Sequence, residues 1–257
     1  MADLRNYQAR VANAGAYADA SIDVGLRAYM IKVYNLMALG LAITGIAALG
    51  TVWLATNPSS AVATLPNGQT LTNFGVLLYT SPLRWVVMLA PLALVFFMSF
   101  RIEKMSLSAA QTTFWGYAAL MGVSLSSVFL VYTSASIVQT FFITATAFLA
   151  LSLFGYTTKR DLSGMGSFLI MGVFGLIIAS LVNIFLQSSA LQFAVSAIGV
   201  LVFAGLTAYD TQQIKEMYYE GDGALVAGRK AIMGALRLYL DFINMFMFML
   251  QFLGNRE

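Results

Sequence analysis

The sequence predicts an all-α polytopic membrane protein that crosses the bilayer with seven helices. Of its 257 residues, 60% are hydrophobic and only 10% are charged, whereas a soluble domain carries about 25% charged residues. The mean hydropathy is +0.80, so the chain has too few charges to cover a water-facing surface. Apolar runs of about 20 residues, the length that spans a bilayer as a helix, recur along it. The period-two alternation of a membrane β-barrel is absent from the sequence.

Seven apolar runs define the predicted spans. They are Tyr29–Ala55, Leu83–Phe100, Phe114–Thr133, Ile137–Thr157, Gly166–Leu186, Leu191–Tyr209 with a polar extension, and Ile232–Leu253. The connections are mostly short, so neighbouring spans should pack as antiparallel pairs. Residues 1–28 lack the apolar core of a signal peptide. We therefore expect a cytoplasmic N-terminal tail over residues 1–28 and a seven-helix membrane domain over residues 29–254.

Two turns are predicted from Gly, Pro, Asn and Asp. The segment "LPNGQ" predicts a turn within the long uncharged segment Thr56–Pro82. The segment "GDGALVAG", Gly221–Gly228, predicts the turn between the last two spans.

The basic residues predict the orientation. Excess Lys and Arg mark cytoplasmic loops, and an N-terminus in the cytoplasm places eleven of the fourteen there. These are Arg5, Arg10, Arg27, Lys32, Arg101, Lys104, Lys159, Arg160, Lys215, Arg229 and Lys230. The external side receives Arg84 and Arg256, and Arg237 lies within the last span. The C-terminus should therefore be external.

The chain contains no Cys and no His. This excludes disulfides, zinc or haem sites built on these residues, and Ser-His or Cys-His catalysis. The net charge of +3 does not point to nucleic acid. We expect no cofactor, no nucleic-acid partner and no enzymatic activity, with the lipid bilayer as the surrounding partner.

Asp210 and Asp241 are the two acidic residues that apolar sequence flanks. A carboxylate at mid-membrane costs about 2.5–3.5 kcal/mol or more, so Asp241 requires an explanation. Asp210 lies 11 residues before Gly221 and Asp241 lies 13 after Gly228, which is roughly 16 and 20 Å along a helix. A helical hairpin would thus bring both to similar depth, within hydrogen-bonding reach if the helix rotations agree. The alternative for Asp210 is an interfacial position.

Two facing carboxylates in a low-dielectric interior share one proton and titrate as a coupled pair. Such a pair can sense pH and can offer oxygens to a transient calcium ion. Arg237, one turn before Asp241, is either a counter-ion or a side chain that reaches the cytoplasmic interface. Arg101 is a second possible counter-ion or an ordinary positive-inside anchor. Asn244, three residues after Asp241, is a possible ligand.

Several ordered segments resemble the Bax inhibitor-1 family, also called the transmembrane Bax inhibitor motif family. The two signature segments are "FAGLTAYDTQQIK" (Phe203–Lys215) and "LYLDFINMF" (Leu238–Phe246). Three others are similar to the bacterial branch: "YAALMGVSLSSVFLVYT" (Tyr117–Thr133), "GYTTKRDLSGMGSFL" (Gly155–Leu169) and "GLIIASLVNIFL" (Gly175–Leu186). The resemblance covers about residues 27–254.

The resemblance implies seven helices, with the last helix central and wrapped by the other six. It implies a pH-sensitive calcium leak channel governed by two aspartates, which match Asp210 and Asp241. It also implies an Arg near the end of the second helix that pairs with them, for which Arg101 is the nearest candidate. A bacterial relative modulates a membrane-anchored ATP-dependent protease, so a membrane protease is a second candidate partner. The second span here contains no acid.

Two further function classes are alternatives to the calcium leak. Presenilin-type aspartyl proteases also use two intramembrane aspartates, but their signature needs Gly-x-Gly-Asp, whereas Asp241 follows "LYL", and no Pro-Ala-Leu segment follows. An interaction protein that binds a protease and conducts no ions stays open. Ion flux in liposomes that hold only this protein distinguishes a calcium leak from such an interaction protein.

Overall fold

A computed structural model describes residues 24–65 and 68–255 of the chain. Seven helices are long and apolar enough to cross a membrane, so the predicted fold class is confirmed. The α-helices in chain order are α1 (Ala2–Thr56), α2 (Asn73–Tyr79), α3 (Leu83–Arg101), α4 (Leu107–Leu125), α5 (Ser134–Thr157), α6 (Ser163–Leu186), α7 (Ser189–Glu216) and α8 (Ala224–Leu253). All of them except the short helix α2 are candidate membrane spans. Most of the predicted tail, residues 1–23, lies outside the described residues.

The predicted bounds of the third span were wrong. Helix α4 begins at Leu107, seven residues before the predicted start, because Ser106 caps it by accepting a hydrogen bond from Ala109 N–H at 3.2 Å. The helix ends at Leu125 and continues as a 3₁₀ turn over Ser126–Leu130. Apolar runs identify the lipid-facing part of a helix, and caps decide where the helix ends.

The segment between α1 and α3 holds a small β-hairpin. Strand β1 (Ala61–Thr64) pairs antiparallel with β2 (Thr70–Thr72). The predicted "LPNGQ" turn joins them, with Leu65 N–H donating to Gln69 O at 2.8 Å. Gly68 has φ +85°, a left-handed conformation that a side chain would strain. Thr72 donates to Leu54 O at 2.9 Å and so ties the hairpin to α1.

Helix α8 is the most buried of the spanning helices and α6 is the least. Helix α8 packs against α1, α4, α5 and α7. Helix α3 packs mainly on α4, and α6 packs mainly on α7. The last helix is therefore central, as the resemblance implies, but four helices and not six form its immediate wall. The outer position of α6 leaves a seam between α6 and α8.

The turn between α7 and α8 is shorter than predicted. Helix α8 begins at Ala224, inside the predicted turn Gly221–Gly228. Gly228 is a helical residue, and a Cβ there would collide with the Leu107 side chain. Its glycine is thus a packing position for the start of α4 and not a turn residue.

Candidate functional site

Asp241 lies in the middle of the central helix. Its side chain is 4% exposed, and its Oδ2 receives a hydrogen bond from no donor among the described residues. Leu238 and Met245, one turn to either side, are fully buried. A buried carboxylate oxygen without a donor is strongly disfavoured, so a proton or a cation has to compensate it.

Asp210 on α7 is the neighbour of Asp241. The two carboxyl groups line the same cleft, and each lies close enough to act on the charge of the other; Asp210 is partly exposed. Ionised carboxylates only accept hydrogen bonds, so a hydrogen bond between the two would require a proton on one of them. The structure therefore brings together the two acids that the sequence predicts as a pair.

Close packing of α7 against α8 fixes which residues face each other. A Cβ on Gly234 would lie 3.0 Å from the Ile214 side chain. Nearer the other end of the pair, a Cβ on Gly199 would collide with the Phe248 ring. These contacts set an antiparallel register in which positions 210 and 241 lie within about one helical turn of each other in depth.

Of the two possible counter-ions, the structure places Arg237 and not Arg101 near the pair. The charge of Arg237 acts on both carboxyl groups. Among residues 24–65 and 68–255, Lys230 and Asp222 form the one ion pair with an N···O distance of 4.0 Å or less. Arg237 therefore forms no direct ion pair with Asp210 or Asp241. Arg101 is exposed at the end of α3, which packs on α4 and away from α7. The Arg101 pairing that the resemblance implies is thus not formed.

The carboxyl pair faces a cleft of about 550 Å³ between α6, α7 and α8. Its polar lining comes from Asp210, Asp241, Arg237, Asn244 and Ser180. The Asn244 amide donates to Leu240 O at 2.8 Å, which leaves its carbonyl oxygen as an acceptor in the cleft. The remaining lining side chains are apolar, so the acids lie at the polar part of an otherwise apolar seam.

A calcium ion takes six to eight oxygen ligands. The described residues contain no group of three or more acidic side chains that could hold a metal ion. Two carboxylates supply four oxygens at most, and Asn244 could add one. Water or backbone carbonyls would have to supply the remaining ligands of a calcium ion at this position.

Acids in the loops have ordinary partners. Asp222 forms an ion pair with Lys230 at 2.6 Å. Asp161 accepts a hydrogen bond from Ser163 N–H at 2.8 Å, which lowers the pKa of this exposed carboxyl below its usual value. These acids therefore differ from Asp241, whose Oδ2 has no donor among the described residues.

Sequence reasoning did not single out the buried hydroxyl groups around α8. The Tyr239 and Thr44 hydroxyls lie 2.6 Å apart, and Thr44 donates to Ala118 O at 2.8 Å. On the α5–α7 side, Ser152 lies 2.6 Å from the Tyr34 hydroxyl and 2.9 Å from that of Thr211. Single hydroxyls within apolar runs carry little sequence signal, because each satisfies a local carbonyl equally well when it faces no partner helix.

Comparison with known proteins places the chain in one family. Residues 26–257 match the family described as "Inhibitor of apoptosis-promoting Bax1". A protein of Rickettsia prowazekii is 50% identical over 237 residues, which cover 92% of this chain and 93% of the relative. A protein of Caulobacter vibrioides is 49% identical, with 93% and 94% covered.

A third relative carries a descriptive name. The "Inner membrane protein YbhL" of Escherichia coli strain K12 is 45% identical over 236 residues, which cover 91% of this chain and 94% of the relative. The family match over residues 26–257 includes both signature segments. The chain belongs to the Bax inhibitor-1 family of membrane proteins.

Proposed function

We propose that the protein is a pH-sensitive calcium leak channel of the bacterial inner membrane, with Asp210 and Asp241 as its proton sensor. The observation that carries this proposal is the buried Asp241 Oδ2, which has no hydrogen-bond donor among the described residues and lies in a cleft that Asp210 also lines. A structural role alone would be served better by an apolar pair of similar size. The inner-membrane location follows the printed name of the relative YbhL.

The switch is a change of charge between two packed helices. With one shared proton, the carboxyl groups form a hydrogen bond that joins α7 to α8. Without it, two negative charges face each other in a low-dielectric interior and repel. The one other charged side chain that lines the described cleft is Arg237, whose positive charge moderates this repulsion. The proton therefore biases the packing of the most buried helix.

The same carboxylates would serve the ion. A calcium ion that reaches the pair gains two carboxylates and the carbonyl oxygen of Asn244 and keeps part of its water shell. Such an incomplete ligand set binds weakly, which suits a leak and not storage. The test is calcium flux through purified protein in liposomes as the pH is varied.

We also propose that the N-terminus is cytoplasmic and the C-terminus external. Three contacts tie the α3–α4, α5–α6 and α7–α8 connections into one end of the bundle. Arg229 Nε donates to Met105 O at 2.8 Å, Lys215 Nζ to Tyr156 O at 2.9 Å, and Lys230 Nζ to Met217 O at 3.0 Å. The basic residues of these connections thus concentrate at one end, which the positive-inside rule assigns to the cytoplasm.

A reporter fused to the C-terminus checks the orientation. We expect alkaline phosphatase, which is active only outside the cytoplasm, to be active at this position, and a fluorescent protein that matures only in the cytoplasm to stay dark. A fusion at Lys159 should give the opposite pattern. A bright cytoplasmic reporter at the C-terminus would contradict the orientation.

A further inference from the structure

A second polar pocket, of about 420 Å³, lies at the opposite end of the bundle from the basic connections. Its lining side chains are uncharged, and four of them are amides. The amides are Asn183 and Gln187 near the end of α6, Gln192 in the first turns of α7, and Gln251 near the end of α8. The four amides thus form a polar, uncharged patch at this end of the seam.

The amide pocket and the aspartate cleft follow the same seam between α6, α7 and α8. Ser180 and Ile184 line both of them. Along α8, Gln251 belongs to the amide pocket, whereas Phe248 and Asp241 line the cleft. The two cavities are therefore consecutive sections of one seam, and the amide pocket is the section nearer the proposed external surface.

Phe248 lines the end of the cleft nearer the amide pocket, one turn along α8 from Gln251. Its ring covers Gly199, where a Cβ would collide with it, and it stacks on Phe203 with ring centroids 5.8 Å apart and an interplanar angle of 25°. Gly199 and Phe203 belong to α7, so the ring fills the α7–α8 contact at a level between Gln251 and Asn244. Apolar side chains that narrow a pore exclude water and thereby block ions.

We propose that the amide pocket is the external entrance of the ion path and that the Phe248 ring is the barrier between this entrance and the aspartate pair. Amide oxygens are hard neutral ligands that can replace part of the water shell of a calcium ion without holding it tightly. On the inner side of the barrier, Asn244 and the carboxylates of Asp210 and Asp241 coordinate the ion. The inference rests on the proposed channel function for its physiological meaning, but its geometry can be tested without calcium.

The absence of Cys in the natural chain makes thiol accessibility a direct test. Gln251→Cys and Asn244→Cys are placed separately in the otherwise unchanged chain and in Phe248→Ala. A membrane-impermeant cationic methanethiosulfonate reagent is then added to right-side-out vesicles. We expect modification at Gln251→Cys in both backgrounds. At Asn244→Cys we expect modification only with Phe248→Ala, with a rate increase of at least about tenfold.

Phe246→Ala is the matched control. Phe246 lies two residues from Phe248 on the same helix, is buried, and packs on Phe141 at the other side of α8. Its truncation should leave Asn244→Cys unmodified, so that general loosening of α8 is separated from loss of the barrier. Monodisperse elution of each variant after extraction checks that it folds.

Several outcomes would overturn the proposal. One is that Gln251→Cys is not modified. A second is that Asn244→Cys reacts as fast with Phe248 present as in Phe248→Ala, and a third is that it stays unmodified in Phe248→Ala. The fourth is that Phe246→Ala raises the modification rate of Asn244→Cys as much as Phe248→Ala does. Labelling is independent of calcium flux. If labelling follows the expected pattern and wild-type liposomes show no flux, the entrance and barrier stand and the calcium function fails.

Discussion

Asp241→Asn and Asp210→Asn are each expected to flatten the pH dependence of calcium flux between about pH 6 and 8, where a shared proton between buried carboxyls can exchange. The amide keeps the shape of the side chain and can still donate a hydrogen bond to the remaining acid, but it removes the titration. The measurement is calcium uptake into liposomes at several pH values. We expect the double variant to be no worse than the single ones, because the two acids act as one coupled unit.

Asp161→Asn is the control for this series. Asp161 is an exposed loop acid whose Oδ1 accepts a hydrogen bond from Ser163 N–H, and an asparagine oxygen can accept the same bond. This variant should keep the wild-type pH profile. If both single variants at the intramembrane pair also keep it, the pH sensor lies elsewhere in the protein.

Gly155→Leu should cause the largest loss of stability. Gly155 on α5 lies against the backbone of Ala208 on α7, and a Cβ there would collide with the Ala208 carbonyl oxygen. Backbone atoms cannot move aside as a flexible side chain can, so α5 and α7 must separate to make room for the leucine. We expect a loss of about 3 kcal/mol or more, seen as a large fall in the thermal unfolding midpoint of the detergent-solubilised protein.

Gly175→Leu is the matched control for the stability prediction. Gly175 is also a glycine in the middle of a spanning helix, but a Cβ there would meet nothing within 4 Å. Its replacement should change stability by no more than about 1 kcal/mol, since leucine favours a helix over glycine by about that amount. Equal destabilisation by both variants would show that the α5–α7 contact is not a tight packing point.

The fold was predictable because hydropathy reports directly on which residues face lipid. All seven spans were located, and the turn at Gly68 was identified from its residue types. The bounds of α4 and the start of α8 were not predicted. There, a serine cap and the packing of Gly228 on Leu107 decide the helix, and these depend on contacts that apolar runs do not encode.

The core of the candidate site was predictable for a different reason. A charge in a membrane span is rare and costly, so Asp210 and Asp241 stand out from the sequence, and their places on two consecutive spans predict that they lie on neighbouring helices. The choice of Arg237 over Arg101 depended on helix arrangement, since α3 packs on the far side of α4. The role of Phe248 was also hidden, because one phenylalanine among nineteen carries no signal until its neighbours are known.

Calcium flux through the purified wild-type protein in liposomes tests the central claim most directly. A calcium-sensitive dye inside the liposomes reports uptake while the external pH is stepped from about 6 to 8, the range in which the carboxyl pair is proposed to exchange its proton. The account predicts uptake above that of protein-free liposomes, with a rate that changes several-fold across this range. Uptake equal to that of protein-free liposomes at every pH would contradict it, and a membrane interaction protein that modulates a membrane-anchored protease would then become the leading function.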